Sequence, residues 1–150
     1  MEFRAKIFDG LSAREVYEIV RARQEIFLME QRIVCRDFDG VDYDSLHCFL
    51  WENDRVVAYL RAFMQDGDVH LGRFLTAKHG EGLGRRLMEL SLPLIREHFG
   101  DRVIVIHSQK HAEGFYLKFG FRTTSDVFLE EGIEHVEMRC VLTTGNAKNN

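Results

Sequence analysis

Residues 69–76 read VHLGRFLT, residues 77–84 read AKHGEGLG and residues 85–90 read RRLMEL. The first piece is a short apolar segment with strand character, and it stops at a loop that contains Gly80, Gly82 and Gly84. An amphipathic helix starts directly after the loop, because leucines recur at helical spacing at positions 83, 87, 90 and 94. Glycine lets the backbone approach a phosphate, and the free N–H groups and positive dipole end of the helix then point at it. This run therefore predicts an anion site for a phosphate-bearing small molecule.

Two common phosphate loops do not fit the spacing of these glycines. A Walker loop needs a lysine followed by Ser or Thr, and none follows Gly84, whereas a dinucleotide fingerprint needs a further glycine where Arg85 stands. Residues 79–84 instead resemble motif A of the GNAT acetyltransferases, R/Q-x-x-G-x-G/A, whose backbone amides hold the pyrophosphate of coenzyme A. His79 departs from that motif, which has Arg or Gln at this position.

A second segment, residues 102–121, reads RVIVIHSQKHAEGFYLKFGF. Its continuous apolar run predicts a strand covered on both faces, and the spacing of the aromatic residues after Ala112 predicts a helix with Gly120 as its C-terminal cap. The segment resembles the other GNAT signature, N-x-x-A-x-x-F/Y-Y-x-x-x-G-F, with Gln109 in the asparagine position and with Tyr116 and Phe121 matching. Two motifs in the order and at about the spacing of the GNAT family are much more specific evidence for that family than either motif alone.

Further stretches resemble the ElaA-like branch of the GNAT family. Its pattern R-x-x-V-F-x-x-E-Q, then D-x-D-G-x-D, then H is matched by Arg23, Phe27, Glu30, Gln31, Asp37, Asp39, Gly40, Asp42 and His47. Arg61 and Arg73 stand where that branch has arginines. Residues 130–138, EEGIEHVEM, fit its pattern E-x-G-I-P-H-x-x-M with Glu134 in place of the proline. The resemblance extends over nearly the whole chain, from about residue 11 to residue 140.

The predicted elements mix strands and helices in an α+β order. Periodicity predicts strands at residues 3–8, 47–51, 56–64, 69–76, 103–108, 122–129 and 136–142, with a hairpin turn at Asn53 and Asp54. Ser12 and Glu15 form a capping box that predicts a helix to about Leu28, and two further helices follow the glycine loop and the second motif. The resemblance implies the GNAT (acyl-CoA N-acyltransferase) fold, a mostly antiparallel mixed sheet flanked by helices. We expect one domain over residues 1–142 and a polar, frayed tail over residues 143–150.

Composition narrows the classes of function. The 150 residues carry 20 basic and 24 acidic side chains, a net charge of −4, without a basic cluster that would predict nucleic-acid binding. The apolar runs are too short to span a membrane, and the first residues open neither a signal peptide nor a myristoylation site. Cys35, Cys48 and Cys140 are odd in number and show no C-x-x-C, which indicates reduced thiols. We therefore expect a cytoplasmic protein, as a monomer or homodimer, that binds neither nucleic acid nor membrane.

The resemblance implies where acetyl-CoA, the cosubstrate, would bind. The pyrophosphate would lie over the glycine loop and the pantetheine arm along the strand before it, where a backbone N–H would polarise the thioester carbonyl. The implied contacts are Phe74, Leu75, Thr76, Gly80, Gly82, Leu83, Gly84, Arg85 and Gln109. Tyr116 matches a tyrosine that lies beside the thioester sulfur in many members, where a phenol can protonate the departing thiolate as a general acid. Periodicity alone favours a tyrosine packed in the core, and that alternative stays open.

The candidate acceptor residues are Arg23, Glu30 and His111. Arg23 falls within the buried stripe of the first helix, so its charge must be paired or must face a cavity. It either braces the following loop in an Arg–Glu or Arg–Asp pair, or contributes to substrate binding. The candidate base is Glu30 or His111, reached through water. Acidic residues also gather on the predicted acceptor side, and they are Glu30, Asp37, Asp39, Asp42, Asp44, Glu130 and Glu131. This acidic set either forms a solvated face or attracts a cationic amine.

The histidines do not predict a metal site. His107 and His111 have a ligand-like spacing, but the first is expected on a strand and the second at a helix start. The sequence has neither a C-x-x-C nor an H-E-x-x-H motif, so we expect no bound metal. His47, His111 and His135 match the ElaA-like pattern, and they either line the acceptor cleft or make structural hydrogen bonds.

These residues together predict an acetyl-CoA-dependent N-acetyltransferase. The acetyl group would pass to the primary amine of a small molecule or peptide by direct attack in a ternary complex. One alternative is a non-catalytic acyl-CoA-binding or sensing module, which would keep Gly82 and Gly84 but needs no acid. The other is a structural or partner-binding domain with an empty cleft. Coenzyme binding separates that last alternative from the first two, and Tyr116 favours the enzyme.

Overall fold

The first helix starts at the capping box that the sequence predicts. In the computed structural model, which describes residues 1–141, Glu15 N donates to Ser12 Oγ at 3.1 Å and Ser12 N donates to Glu15 Oε1 at 2.8 Å. These bonds satisfy N–H groups that a helix start otherwise leaves unpaired. Helix α1 spans Ala13–Arg23 and continues as a wider π-helical segment, Gln24–Glu30, so the helical region passes the predicted end near Leu28. The tail expected over residues 143–150 lies outside the described residues.

The described residues contribute eight strands to one mixed sheet. The strands are β1 Glu2–Ile7, β2 Leu46–Glu52, β3 Arg55–Gln65, β4 Asp68–Thr76, β5 Val103–Gln109, β6 Arg122–Thr123, β7 Phe128–Glu130 and β8 Ile133–Val141. Their order is β1-β2-β3-β4-β5-β8-β6, with β7 also paired to β8. Every described pair is antiparallel except β4 with β5. This confirms the predicted α+β class and the mostly antiparallel mixed sheet.

Helices cover both faces of this sheet. Helices α2 Leu83–Phe99 and α3 Glu113–Leu117 pack on one face, over a core that includes Leu60, Leu87 and Ile104. Helix α1 packs on the other face, over Phe49 and Tyr59. Three short 3-10 turns connect these elements, at Phe8–Gly10, Val41–Asp44 and Lys110–Ala112.

Local turn chemistry sets two of the predicted boundaries. Asn53 and Asp54 join β2 to β3 with φ values of 51° and 59°, the left-handed pair that matches the twist of a hairpin. Gly120, with φ of 90°, ends α3, and Phe121 N donates across it to Tyr116 O at 3.4 Å. The helix expected from Ala112 is shorter than predicted, because its first turn is the 3-10 turn and α3 follows.

The strand predicted over residues 122–129 is wrong, because the structure divides it into β6 and β7. Between them, Thr124 N donates to Glu137 O at 2.8 Å, but Ser125 Oγ accepts the N–H of Glu137 at 2.8 Å. A side-chain hydroxyl therefore takes a hydrogen bond that a continuous strand would form with its backbone, and the chain leaves the ladder.

The sheet opens between β4 and β5, and this opening creates the cleft described below. The two parallel strands pair as far as Leu71 and Ile106. They then separate, although β4 continues to Thr76 and β5 to Gln109. The edge of β4 that faces β5 therefore has free backbone groups along its last residues.

A β-bulge on the other side of β4 accompanies this opening. The register between β3 and β4 shifts between Tyr59 and Arg61, so that Arg73 and Phe74 together face Leu60. Arg73 has a φ of 53°, a left-handed conformation that few residues other than glycine adopt. A bulge increases the local bend of a strand, and this one lies where β4 stops pairing with β5.

Candidate functional site

A cleft of about 1130 Å³ fills the opening between β4 and β5. Its walls come from the end of α1 and the following loop, the end of β4, the glycine loop, the end of β5, α3 and the turn between β7 and β8. Of the residues predicted for the site, those that line the cleft are Arg23, Phe74, Leu75, Thr76, Gly80, Gly82, Leu83, Gly84, Arg85, Gln109, His111 and Tyr116. Glu30 lies beside the cleft, where its carboxylate contacts His79. The structure thus brings together side chains that lie far apart in sequence.

One end of the cleft is formed by the glycine loop and the start of α2. Gly80 and Gly82 have φ values of 78° and 72°, and no atom lies within 4 Å of a Cβ built on either. Gly82 is the N-cap of α2, and no side chain caps this helix. The first N–H groups of the helix therefore remain available to an anion in the cleft. These features fit the phosphate site that the sequence predicts.

Gly84 lies in the cleft wall and also packs closely against aromatic side chains. A Cβ built on Gly84 would lie 3.2 Å from Phe74 Cζ and 3.5 Å from Phe115 Cζ. The missing side chain therefore lets α2 pack closely against two aromatic rings. The Gly84 N–H belongs to the uncapped first turn and stays available to a ligand.

Tyr116 lies in the wall that α3 contributes and is almost completely buried. Its ring packs edge-on against Phe74, with the ring centres 5.9 Å apart, and against Phe121 at 6.0 Å. Burial raises the pKa of its phenol above the ordinary value. The hydroxyl therefore keeps its proton at neutral pH, as a general acid requires.

Gln109 and His111 form a short chain of hydrogen bonds at the end of β5. His111 Nε2 donates to Gln109 Oε1 at 2.7 Å, and Gln109 Nε2 donates to Gln31 Oε1 at 3.2 Å. The chain connects the β5 wall of the cleft to the residue that follows the π-helical segment. Both predicted residues therefore line the cleft, but their side chains also hold its walls together.

His79 contacts Glu30, a residue far from it in sequence. Its Nε2 lies 2.9 Å from Glu30 Oε1, and both side chains are exposed. This contact joins the end of the π-helical segment to the glycine loop. The two residues are separated by most of the first half of the chain, so only the departure of His79 from the motif distinguished it in the sequence.

Arg23 pairs with aspartates rather than with Glu30. Its buried guanidinium donates through Nε to Asp37 Oδ2 at 3.1 Å, through Nη2 to Asp37 O at 2.8 Å and through Nη1 to Asp42 Oδ1 at 2.7 Å. Arg61 completes the arrangement through Asp39 at 2.6 Å and Asp42 at 3.1 Å. We call the three arginines and three aspartates Arg23, Arg61, Arg73, Asp37, Asp39 and Asp42 the Arg–Asp network.

The Arg–Asp network braces the bulged end of β4. Arg73 Nε donates to Asp37 Oδ1 at 2.8 Å, and this contact accompanies the left-handed conformation of Arg73. The hydrogen bond from Arg61 holds the pKa of Asp39 at about 2. Burial acts to raise the pKa of Asp42, but hydrogen bonds and charges from Arg23 and Arg61 outweigh it and lower the pKa overall. All three aspartates have cationic partners, so they are neither a solvated face nor free to attract an amine.

The far end of the cleft holds two histidines around one carboxylate. His107 Nδ1 lies 2.9 Å from Glu130 Oε1, and His135 Nε2 lies 3.5 Å from Glu130 Oε2. His107, Glu130 and His135 line the cleft together with Glu131. In the sequence, these residues appear only as part of a pattern, in an acidic set or in a rejected metal pair. No sequence signal joined them, because they come from three different strands.

His47 lies outside the cleft and makes structural hydrogen bonds. Its ring is buried, with Nε2 donating to Asp42 O at 2.9 Å and Nδ1 accepting from the Tyr59 hydroxyl at 2.7 Å. Burial lowers the pKa of His47, so the ring is neutral at neutral pH. Of the histidines that match the ElaA-like pattern, His111 and His135 line the cleft and His47 braces the Arg–Asp network.

Within residues 1–141, no group of three or more His, Cys, Asp or Glu side chains is arranged to hold a metal ion. None of the helices described there combines the length and hydropathy of a membrane span.

Sequence comparison relates the chain to known protein families. The family model described as "Acetyltransferase (GNAT) domain" matches residues 24–142. Protein ElaA of Escherichia coli (strain K12) is 33% identical over 135 residues, covering 85% of this chain and 88% of that protein. A UPF0039 protein of Schizosaccharomyces pombe is 35% identical over 147 residues, covering 95% of this chain and 98% of that protein.

Solved structures agree with these sequence matches. The crystal structure of an acyl-CoA N-acyltransferase from Pseudomonas aeruginosa superposes with a TM-score of 0.89 at 29% identity, covering 94% of this chain and all of that one. The crystal structure of Escherichia coli ElaA gives the same TM-score of 0.89 at 30% identity, covering 93% of this chain and 99% of that one. The resemblance deduced from the motifs is therefore confirmed over nearly the whole chain.

Proposed function

Since the chain belongs to the GNAT acetyltransferases, in their ElaA-like branch, we propose that it transfers an acetyl group from acetyl-CoA to a primary amine. The observation that carries the proposal is one cleft that combines an uncapped, glycine-led helix start, an unpaired strand edge and a buried phenol. Each of these three features meets a separate requirement of the reaction. The chain also has the acetyltransferase fold on which such a cleft is expected.

The cleft fits the chemical parts of acetyl-CoA. The left-handed Gly80 and Gly82 and the free N–H groups at the start of α2 suit the pyrophosphate. The free backbone edge of residues 74–76 suits the amide groups of the pantetheine arm. Leu83, Arg85 and Gln109 line the same cleft and complete the proposed set of contacts.

Tyr116 is the proposed acid of the reaction. A neutral amine attacks the thioester carbonyl, and a backbone N–H of the β4 edge stabilises the negative charge that develops on the carbonyl oxygen. The departing sulfur then takes its proton from the Tyr116 hydroxyl. Because burial raises the pKa of this phenol, it remains protonated throughout the neutral pH range. No covalent enzyme intermediate is needed in this ternary-complex mechanism.

The acceptor is a primary amine on a small molecule or a peptide. Arg23, Glu30 and His111 are the residues that the sequence predicts for the acceptor side, and Glu30 and His111 remain the ones proposed to contact the amine. Glu30 and His111 are both engaged by neighbours, since Glu30 contacts His79 and His111 donates to Gln109. Arg23 is committed to the Arg–Asp network, so its proposed contribution is to hold the wall that the acceptor meets.

A thiol-release screen tests the proposed function and identifies the acceptor class. The protein is incubated with acetyl-CoA and a panel of small amines, amino acids, lysine peptides and peptides with free N-termini. We expect thiol release that depends on one class of amine and saturates with its concentration. Release from acetyl-CoA with no dependence on any amine would instead indicate a hydrolase.

Acetyl-CoA should stabilise the folded protein. At about one hundred times its dissociation constant, a ligand contributes about 2.7 kcal/mol to the free energy of unfolding. For a domain of this size, we expect the melting temperature to rise by about 5–10 °C. Acetyl-pantetheine lacks the pyrophosphate and is the matched control, which should give a much smaller rise. An unchanged melting temperature with saturating acetyl-CoA would contradict both the proposed transferase function and the alternative of an acyl-CoA sensor.

Gly82→Val should weaken acetyl-CoA binding by more than about tenfold, or 1.4 kcal/mol. The valine would place a branched side chain beside the N–H groups that face the pyrophosphate. It would also strain the left-handed backbone, whose φ is 72°. A calorimetric binding isotherm measures the change.

Gly67→Val is the matched control for Gly82→Val. Gly67 has a φ of 83° and equally open surroundings, but it lies in the turn between β3 and β4, away from the glycine loop. Both variants should lose similar stability, whereas only Gly82→Val should lose coenzyme affinity. Equal affinities in the two variants would place the phosphate site elsewhere. Gly84→Val is a less clean test, because its side chain would press on Phe74.

We also propose that the reaction takes place in the cytoplasm. The support is chemical, since Cys35, Cys48 and Cys140 are all free thiols in the structure. Whether the active form is a monomer or a homodimer stays a prediction from the sequence.

A further inference from the structure

We propose that His135 accepts the proton that the acceptor amine must lose, with Glu130 stabilising the charged ring and His107 orienting Glu130. This proposal rests on the proposed acetyl transfer. An alkylamine is protonated in neutral solution, and its nitrogen cannot attack a carbonyl until that proton is removed. A base within the cleft would remove this proton from the bound amine and so raise the rate of attack.

The hydrogen bonds of His135 determine which of its ring nitrogens is free. Nδ1 lies 2.7 Å from the carbonyl oxygen of Ile133. A carbonyl oxygen can only accept, so Nδ1 carries the hydrogen, and in the neutral ring the lone pair is on Nε2. Nε2 is 3.5 Å from Glu130 Oε2, which is longer than a well-formed hydrogen bond. The lone pair of Nε2 is thus unused and available to a substrate proton.

Glu130 is held where it can stabilise His135 after proton transfer. His107 Nδ1 donates to Glu130 Oε1 at 2.9 Å, which leaves Oε2 directed towards His135. Once Nε2 has taken a proton, the attraction between the imidazolium and the carboxylate offsets the cost of charging a ring that is only 8% exposed. His107 and Glu130 are both partly exposed, so this end of the cleft is open to an incoming amine.

The ring of His135 is also fixed in orientation. It stacks on Phe128 with the ring centres 6.1 Å apart and the ring planes 27° apart. In the register of the sheet, His135 lies opposite Gln109, at the end of β5 where α3 and Tyr116 follow. His135 and Tyr116 therefore line one cleft from different elements.

Several ionisable groups lie on the elements around His135. His107 from β5, Glu130 from β7 and Glu131 from the turn before β8 line the cleft with it, and His111 contacts Gln109, the residue opposite His135 in the register. Beside them on β8, Glu137 lies opposite His107 in the register and contacts Arg139. Among these groups, Glu130 is the carboxylate that contacts His135 Nε2, and its negative charge suits a protonated imidazole.

Two protons move in the proposed reaction, one to His135 and one to the departing sulfur. An ammonium group gives one proton to His135 Nε2, and the neutral nitrogen forms a C–N bond to the thioester carbonyl carbon. The C–S bond breaks, the sulfur takes the Tyr116 proton, and the resulting phenolate recovers a proton from the new amide nitrogen. His135 passes its proton to water, so each amide formed releases one proton to solution.

The test compares His135→Gln with the wild-type protein, using the amine that the thiol-release screen identifies. Turnover of this amine at neutral pH should fall by about 10²-fold, within the usual range for a positioned base. A fluorinated analogue of the same amine is already neutral at that pH, so no base has to remove a proton before its nitrogen attacks. With the analogue, turnover by the variant should fall by less than about threefold, well below the usual effect of a positioned base. Melting temperature and acetyl-CoA affinity show that the variant is folded.

Two further variants complete the experiment. Glu130→Gln changes a partly exposed side chain, keeps its shape and should lower turnover of the ordinary amine in the same direction, again with recovery on the fluorinated analogue. His98→Gln, on the exposed end of α2, is the matched histidine control and should behave as wild type.

Each outcome decides between a catalytic and a structural contribution. Equal losses with both amines would show that His135 only supports the fold, and full turnover in His135→Gln would also overturn the proposal. Both results leave the proposed acetyl transfer intact, because the wild-type protein would still be active. If the wild-type protein acetylates no amine, the proposed function fails and this proposal fails with it.

Discussion

Tyr116→Phe should lower turnover by about 10²–10³-fold while leaving coenzyme affinity and melting temperature almost unchanged. The substitution removes only the hydroxyl, and the ring still packs against Phe74 and Phe121. If the phenol protonates the departing sulfur, the loss falls on the chemical step alone. Steady-state rates with an amine from the screen, together with a binding isotherm for acetyl-CoA, measure the two quantities separately.

Tyr17→Phe is the matched control for this substitution. Tyr17 lies on the exposed side of α1, so its hydroxyl is removed without any change in the cleft. Its turnover should equal that of the wild-type protein. Unchanged turnover in Tyr116→Phe would remove Tyr116 from the mechanism and leave it as a packed core residue, the alternative that its periodicity favours.

Arg23→Met should lower the free energy of unfolding by about 3 kcal/mol. Methionine fills part of the space but leaves Asp37 and Asp42 without their buried partner. This loss lies at the lower end of the range expected when a buried ion pair is broken, because Arg61 and Arg73 still contact these aspartates. For a domain of this size, the melting temperature should fall by about 6–12 °C.

Acid should reduce the difference between Arg23→Met and the wild-type protein. Asp42 has a lowered pKa in the folded state, so its contribution is complete at neutral pH and is lost as the pH falls through that value. Arg139→Met is the control, since Arg139 is partly exposed and its ion pairs should contribute only about 0–1 kcal/mol. Chemical denaturation at several pH values measures both variants. Equal stabilities for the two variants at neutral pH would contradict a bracing contribution from the Arg–Asp network.

Several features of this fold are predictable because short segments of sequence determine them. The Ser12 capping box, the hairpin turn at Asn53 and Asp54 and the Gly120 helix end each depend on residues that are close in sequence. The glycine loop before α2 is equally local, and its position identifies one end of the cleft. The motifs also predict the fold, because their order and spacing resemble those of one family.

Features that depend on distant residues could not be predicted in the same way. The left-handed Arg73 is held by Asp37, a residue in the loop after the π-helical segment. The break in the strand over residues 122–129 depends on the Ser125 hydroxyl accepting from a strand that comes later in the chain. Periodicity describes which face of an element is buried, but it contains no information about which remote partner a side chain meets.

The end of the cleft at His107, Glu130 and His135 shows this limit most clearly. His107, Glu130 and His135 lie on β5, β7 and β8, and the pairing of those strands brings them together. In the sequence, each belonged to a different pattern. The acidic set mixed Glu30 and Glu130, which contact histidines, with the paired aspartates of the Arg–Asp network. The geometry separates these two groups, which is why it supports a proton acceptor that the sequence did not suggest.

The most direct test of the proposed function is the ratio of amide formed to thiol released. Acetyl-CoA that carries an isotopic label in its acetyl group is incubated with the protein and the amine from the screen. Mass spectrometry then quantifies the labelled amide while a thiol reagent quantifies free coenzyme A. An acetyltransferase should form one labelled amide for each thiol released, with no release when the amine is omitted. Thiol release without labelled amide, or tight coenzyme binding without any release across the amine panel, would contradict the account.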